Sequence, residues 1–131
     1  MTMKVAFATQ DLTRIDAHFG WARHLVFYDV SAEGSRYLSM RDFGSLSQDG
    51  GEAKLAPKLR ALRGCVLLFA SDVGAVAHAR LIRQNVSAVR SFAGRPIDEA
   101  LQDLQLMLRQ APTPWIRKCL QNERIRGLRN M

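Results

Sequence analysis

Sulfur is scarce in this chain. Its 131 residues include two cysteines, Cys65 and Cys119, which form no C-x-x-C pair and belong to no Cys/His array. A closed structural zinc site needs four such ligands, so none is expected, and a chain read as cytoplasmic is not expected to rely on a disulfide. Long apolar runs are missing as well. Nothing approaches the roughly 20 residues that a bilayer-spanning helix requires, and the N-terminus lacks the basic segment and apolar stretch of a secretory signal. The expectation is a cytoplasmic protein with no membrane partner. Acidic side chains are the third shortage: 12 Asp and Glu face 19 Lys and Arg, for a formal charge of +7. The shortage is local. From Arg109 onward six basic residues (Arg109, Arg117, Lys118, Arg124, Arg126, Arg129) face one acid, Glu123, whereas residues 1–108 carry 13 basic and 11 acidic residues. Such a tail suits nucleic acid, an acidic protein surface or an anionic ligand, or simply keeps the chain solvated. The strands lack interleaved basic and aromatic residues, so nucleic acid is not the expected partner.

What is present fits one globular domain, with 47% of residues hydrophobic. Lys4–Thr9 reads as a buried strand. His24–Ser31 is rich in β-formers and reads as a second strand, joined through Ala32-Glu33-Gly34 to a third over Ser35–Phe43. Gly44–Gly51 reads as a loop. Glu52–Leu62 then spaces Leu55, Leu59 and Leu62 helically, with Pro57 inside it. Cys65–Ala70 is a continuous apolar run, as a strand covered on both faces would be. Ser71-Asp72 is suited to cap a helix over Val73–Gln84. Ser87–Phe92 reads as a weaker strand. Pro96 suits the first position of a helix bearing Ile97, Leu101, Leu104 and Leu108, which Ala111–Pro114 ends. A short amphipathic piece, Trp115–Leu120, follows. The order predicts an α/β fold with a mixed sheet. The strands near Lys4, Cys65 and Ser87 should run parallel and lie centrally or nearly so, with the second strand antiparallel.

In such a sheet, ligands bind beyond the carboxyl ends of the parallel strands. Three glycine-bearing loops should meet there: Thr9–Gly20, Ser71–Ala75 and Ser91–Arg95. The first holds His18, Phe19 and Gly20. An imidazole can ligate a metal, a phenylalanine can anchor a loop, and a glycine admits close approach. Gly74 and Gly94 offer the same approach in the other two loops, which lead into helix N-termini that favour anions. Arg14, Arg23 and Arg95 would add positive charge at the rim. These features point to a compact anionic ligand, either a metal cluster or a phosphate compound. Cys65 begins its strand and so belongs at the far end of the sheet from His18, as a small buried residue. Cys119 would reach the pocket only through a folded-back tail. His24 and His78 read as structural or solvated. Asp11 and Asp16 read as turn caps rather than acid and base. Without a nucleophile triad, a nucleotide-binding glycine loop or a metal-hydrolase motif, the chain reads as a binder and not an enzyme.

Several runs carry a resemblance. K-V-A-F-A-T, I-D-A-H-F-G and H-L-V-F-Y-D-V near the start resemble the nitrogenase cofactor biosynthesis family, whose members include NifX, NifY, the cofactor-binding domain of NafY and the C-terminal domain of NifB. E-A-K-L-A-P-K-L-R-A-L-R-G-C, S-D-V-G-A-V-A and G-R-P-I-D-E-A-L continue it, and A-P-T-P-W-I-R-K-C-L resembles the ending of stand-alone, NifX-type members. The likeness covers roughly residues 3–120. It implies a ribonuclease-H-like three-layer α/β/α fold with a five-stranded mixed sheet and an N-terminal hairpin. It also implies a non-catalytic carrier, or chaperone, in nitrogen fixation, holding the iron–molybdenum cofactor or its iron–sulfur precursor. Partners would be cofactor-synthesis and scaffold proteins, among them apo-dinitrogenase. The family histidine falls on His18, the implied metal ligand. Phe19, Gly20, Arg14, Arg23, Gly74, Gly94 and Arg95 complete the expected cofactor-binding set. Residues 1–121 would form the cofactor-binding domain and 122–131 a basic, flexible tail.

The sequence departs from the family at Ser71-Asp72, where a glycine-containing turn is usual, and in the arginine-rich extension after Leu120. Trp21, next to the motif, would shield the pocket or simply pack. A rival reading is a protein-interaction module that binds apo-dinitrogenase or a scaffold through Trp115 and Ile116, with cluster binding incidental.

Overall fold

The computed structural model describes residues 2–43 and 52–110. The loop expected over Gly44–Gly51 lies outside the described residues. So do the helix stop at Ala111–Pro114, the segment Trp115–Leu120 with Cys119, and the basic tail. Among the described residues, five strands form one mixed sheet: β1 (Met3–Thr9), β2 (His24–Ser31), β3 (Gly34–Asp42), β4 (Leu67–Phe69) and β5 (Ser87–Val89), in the order β3-β2-β1-β4-β5. β2 runs antiparallel to both β1 and β3, while β1, β4 and β5 are parallel. Ser31 pairs with Gly34, so a two-residue turn, Ala32-Glu33, closes the β2–β3 hairpin.

The helices α1 (Glu52–Ala61), α2 (Ala75–Arg83) and α3 (Ile97–Arg109) lie on opposite faces of the sheet. Strand alternation divides the core between them. Ala6, Ala8, Leu25, Phe27 and Leu68 pack with Leu55, Leu59 and Leu62 near α1 and with Ala77 and Leu81 of α2. Met3, Val5, Phe7, Val30 and Phe69 pack with Ile97, Ala100, Leu101 and Leu104 of α3. The α3 face also carries a chain of rings. Phe7 stacks on Phe69 at 4.8 Å between centroids, and Tyr28 and Phe92 meet the two edge-on. Such pairs add about 1 kcal/mol each beyond area burial.

Four expectations are corrected. β5 is an edge strand, neither central nor near-central. Its residues are only half-buried, because a parallel neighbour lies on one side alone. The fourth and fifth strands are shorter than their apolar runs, since the flanking residues turn into the loops that build the site. Ser71-Asp72 does not cap α2: the helix starts at Ala75 with Gly74 as its N-cap and no side-chain cap bond. Pro96 is the N-cap of α3 rather than its first helical residue. Pro57 lies within α1 without ending it. Among the described residues, no helix is long and apolar enough to cross a membrane.

Candidate functional site

The loop after β1 is shaped by its own polar side chains. Asp11 Oδ1 accepts the backbone N–H groups of Thr13 and Arg14, each at 2.8 Å. Those bonds hold its carboxyl below the ordinary carboxylate range. Asp16 Oδ1 accepts the Gln10 N–H at 2.8 Å, and the Thr9 hydroxyl oxygen accepts the Leu12 N–H at 3.0 Å. Both carboxylates therefore cap turns. Leu12 takes φ 68°, a left-handed conformation that costs a non-glycine residue about 1 kcal/mol and that these bonds hold in place.

Backbone bonds then join the three loops expected to meet. The Ser71 N–H donates to the Ala17 carbonyl and the Phe19 N–H to the Asp72 carbonyl, both at 2.9 Å. On the other side, Ile15 N–H donates to Arg95 O at 2.9 Å, Gly94 N–H to Ile15 O at 2.8 Å, and Ile97 N–H to Thr13 O at 2.9 Å. Residues 13–19 thus run like a short extra strand between the loops that follow β4 and β5. All three loops leave the carboxyl ends of parallel strands, as the chain order requires.

His18 sits near one end of this seam, paired with Asp72 of the loop after β4. It is half-buried and caps a single 3₁₀ turn, Phe19–Trp21, in which the Gly20 N–H donates to His18 Nδ1 at 3.1 Å. A neutral imidazole that accepts at Nδ1 carries its proton on Nε2. A Cβ at Gly20 would lie 3.6 Å from His18 Cε1, and one at Gly74 would lie 3.9 Å from the same carbon. The ring edge therefore faces two residues without side chains. Phe19 is fully buried in the α1/α2 face of the core, so it anchors the turn and lines no surface. Gly94 has a different role from Gly20 and Gly74. Its φ of 80° needs glycine, yet a Cβ there would meet nothing within 4 Å. It makes a turn and gives no close approach.

The three arginines are not equivalent. Arg14 is exposed on the stitched segment. Arg23 Nε lies 3.6 Å from Asp42 Oδ1, where β2 and β3 pair. Arg95 lies over the Phe92 ring and is bound by Glu99 and Asp103 of α3, which hold it even more firmly protonated than usual. Its charge is therefore offset by two carboxylates. Trp21, the last residue of the turn, is 47% exposed. Cys65 is fully buried at the amino end of β4, at the far end of the sheet from His18. His24 is buried and lies 3.6 Å from Asp42. Among the described residues, no three His, Cys, Asp or Glu side chains converge as a metal cage would require.

Sequence reasoning missed two cations. Lys58 of α1 is completely buried and donates to the Phe19 and Gly20 carbonyls at 3.3 and 2.9 Å. Burial of its ammonium pulls its pKa from 10.5 to about 8. It clamps the His18 turn from below. In sequence it looks like any surface lysine; the one signal was its place, three residues after Leu55 and one before Leu59, on the apolar side of the helix. The second is Arg90, after β5, whose Nη1 lies 3.4 Å from Asp72 Oδ1. The Val73 N–H bond, then Arg90, hold the Asp72 carboxyl below its ordinary range. Arg90, Val73, Ala75 and His78 line a cavity of about 280 Å³ beside this pair.

Similarity to known proteins extends over most of the chain. The family model described as "Dinitrogenase iron-molybdenum cofactor" matches residues 1–107. Protein NifX of Herbaspirillum seropedicae is 40% identical over 120 residues, covering 91% of this chain and 82% of that protein. Protein NifX of Azotobacter vinelandii is 40% identical over 122 residues, covering 93% and 77%. Among solved structures, the apo form of the orange protein from Desulfovibrio gigas superposes with a TM-score of 0.62 at 20% identity, over 82% of this chain and 91% of that one. That last likeness concerns the fold alone.

Proposed function

The chain belongs to the dinitrogenase iron–molybdenum cofactor family, and from that premise we propose that it is a non-catalytic carrier of the iron–molybdenum cofactor or its iron–sulfur precursor. Its kinship is with proteins of nitrogenase cofactor biosynthesis; the carrier role and the residues that serve it are the proposal. The observation that carries it is His18, an imidazole where the loop after β1 meets the loop after β4, with glycine on two sides of its ring edge. A bulky cluster can approach such a ring where it could not approach one walled by side chains.

The donor set fits a cargo that must be released. Imidazole is a neutral nitrogen ligand suited to iron or molybdenum, without the tight hold of several thiolates. The Gly20 hydrogen bond adds a built-in counterweight. Ligation through Nε2 requires the proton to move to Nδ1, which ends the bond from Gly20. Ligation through Nδ1 displaces the same N–H. Either route gives up about 1 kcal/mol that release restores. Phe19 and Lys58 hold the turn while that bond is broken. Arg14 supplies exposed charge to an anionic cargo, with the Asp11 carboxylate within electrostatic reach, whereas Arg23 and Arg95 act in direct ion pairs with their carboxylates. Gly20 and Gly74 give the close approach, and Gly94 fixes the bend that sets Ile15 and Arg95 against each other. The proteins that make and mature the cluster, with apo-dinitrogenase as a recipient, are the partners of this reading.

An anaerobic titration of the full chain with isolated precursor cluster tests it. The expected result is cluster absorbance retained on the protein through gel filtration, with at least about tenfold weaker retention in His18→Ala. No retention by the wild type would end the carrier reading.

A further inference from the structure

The sheet is covered unevenly. Among the described residues, α1 and α2 lie on one face and α3 alone lies on the other. Five strands at about 4.8 Å spacing make a sheet roughly 20 Å across, and one helix with its side chains covers about half of that width. α3 lies nearest β2 and β3, and its Arg109 Nε donates to the Ala32 carbonyl of the hairpin turn at 2.7 Å. The strip left beside it runs over β5. There Val89, Phe92 and Met107, with Ser87 and Ser91, line a groove of about 580 Å³. Val89 and Met107 pack against the α3-side core yet are only half-buried. Among the described residues, this flank of the core is left open.

We propose that this groove is the seat of the chain's own segment Trp115–Leu120. The point where the chain leaves α3, and the length that follows, favour this occupant. Met107 lines the groove and belongs to the last turn of α3, so the chain beyond Gln110 starts at the mouth of the groove. Residues 111–114, Ala-Pro-Thr-Pro, make a link of four, a common length between two antiparallel helices. Its prolines keep α3 from running on. Four residues reach about 13 Å, and the sideways step from one packed helix to the next is about 10 Å. The chemistry of the segment matches the groove. Placed on a helix, Trp115, Ile116, Cys119 and Leu120 share one side, and Arg117 and Lys118 take the other. The apolar side meets Val89, Phe92 and Met107, and the two cations face water.

Topology disfavours the alternative use of this edge, a tail strand parallel to β5. The crossover β4–α2–β5 steps outward with its helix on one face of the sheet. A crossover β5–α3–strand would step outward again with its helix on the opposite face, so the two would have opposite hands, and nearly all such crossovers share one hand. A helical turn seated on the face meets no such obstacle. The seat makes Trp115 and Ile116 part of the α3 layer instead of contacts for another protein. It is independent of whether His18 holds a cluster.

The test uses the full chain with Trp21→Phe, which leaves Trp115 as the single indole. Its emission and its quenching by iodide report how far Trp115 is shielded. The expected result is blue-shifted emission with weak quenching, unchanged on about hundredfold dilution because the contact lies within one chain. Val89→Thr with Met107→Gln makes the groove polar at similar volume, and a thermal melt checks that the fold is kept. Quenching should rise about threefold or more in this variant. Ile116→Gln with Leu120→Gln alters the segment alone and should give the same rise. Tyr37→Ser, at the β3 margin of the same sheet, should leave quenching unchanged. A Trp115 quenched as strongly as a free tryptophan derivative overturns the proposal and leaves the groove to another protein. Shielding that is lost on dilution overturns it in favour of a second copy. Shielding that survives the groove variant overturns it as well, and a rise in Tyr37→Ser alone would move the segment to the β3 margin.

Discussion

Replacing Lys58 by methionine keeps an unbranched side chain of similar length and removes the buried ammonium, so it isolates what the charge does. Two contributions oppose each other. The carbonyls of Phe19 and Gly20 lose donors at 3.3 and 2.9 Å, and a buried acceptor left alone costs about 1–3 kcal/mol. Against this, the ammonium is no longer held out of water. A fall from 10.5 to about 8 corresponds to roughly 3 kcal/mol of strain on the charged form. With two acceptors affected, the substitution at neutral pH should therefore fall between a gain of about 1 kcal/mol and a loss of about 3 kcal/mol in stability. The decisive signature is its pH dependence. Between the folded and unfolded pKa values the unfolded chain binds the extra proton, so stability rises with pH across that window. Below about 8 the penalty is present in full; towards 10.5 it disappears. Urea unfolding at pH about 7.5 and about 10 should show the wild type gaining about 2 kcal/mol relative to Lys58→Met, the other titrating groups cancelling in the comparison. Parallel pH profiles for the two proteins would refute the buried, depressed ammonium and with it the clamp beneath the His18 turn.

Three further outcomes are expected. Phe19→Ala removes a fully buried ring and should cost about 3–5 kcal/mol in urea unfolding; a loss below 1 kcal/mol would mean the turn is not anchored through it. Gly94→Ala, at φ 80° in open space, should cost about 1 kcal/mol through backbone strain alone, with cluster uptake by the folded protein unchanged; lost uptake would assign this position to contact instead. Asp72→Asn frees Arg90 and removes a negative charge beside His18, so an anionic cluster should bind several-fold more tightly at low salt, with the gain shrinking as salt is added; weaker binding would show that Asp72 organises the site.

β2 was legible because it is rich in β-formers, and it occupies the residues its pattern suggests; β3 was legible from its alternation and the turn residues before it. Chain order was enough to bring the three loops to one end of the sheet. The edge position of β5 was not legible. Its run reads only as a weaker strand, and the sheet order is what shows that, among the described residues, no strand lies beyond it. The start of α2 was misread because Ser71 and Asp72 have the chemistry of caps. The backbone there is instead taken up by pairing with Ala17 and Phe19, a contact across more than fifty residues that no local pattern records. Arg95 could have been read better. Glu99 and Asp103 follow it at four-residue steps on one helical face, a spacing that predicts ion pairs over a free rim charge. Lys58 was hidden for the opposite reason, since its partners are main-chain carbonyls and carbonyls leave no trace in composition.

The most direct test of the account is the paramagnetic-resonance spectrum of the cluster-loaded protein, prepared anaerobically with nitrogen-15 histidine, for wild type and His18→Ala. Ligation by His18 predicts a histidine nitrogen coupling to the cluster spin in the wild type that is missing from the variant. The same coupling in both proteins, or none in a wild type that demonstrably retains cluster, would contradict His18 as the ligand.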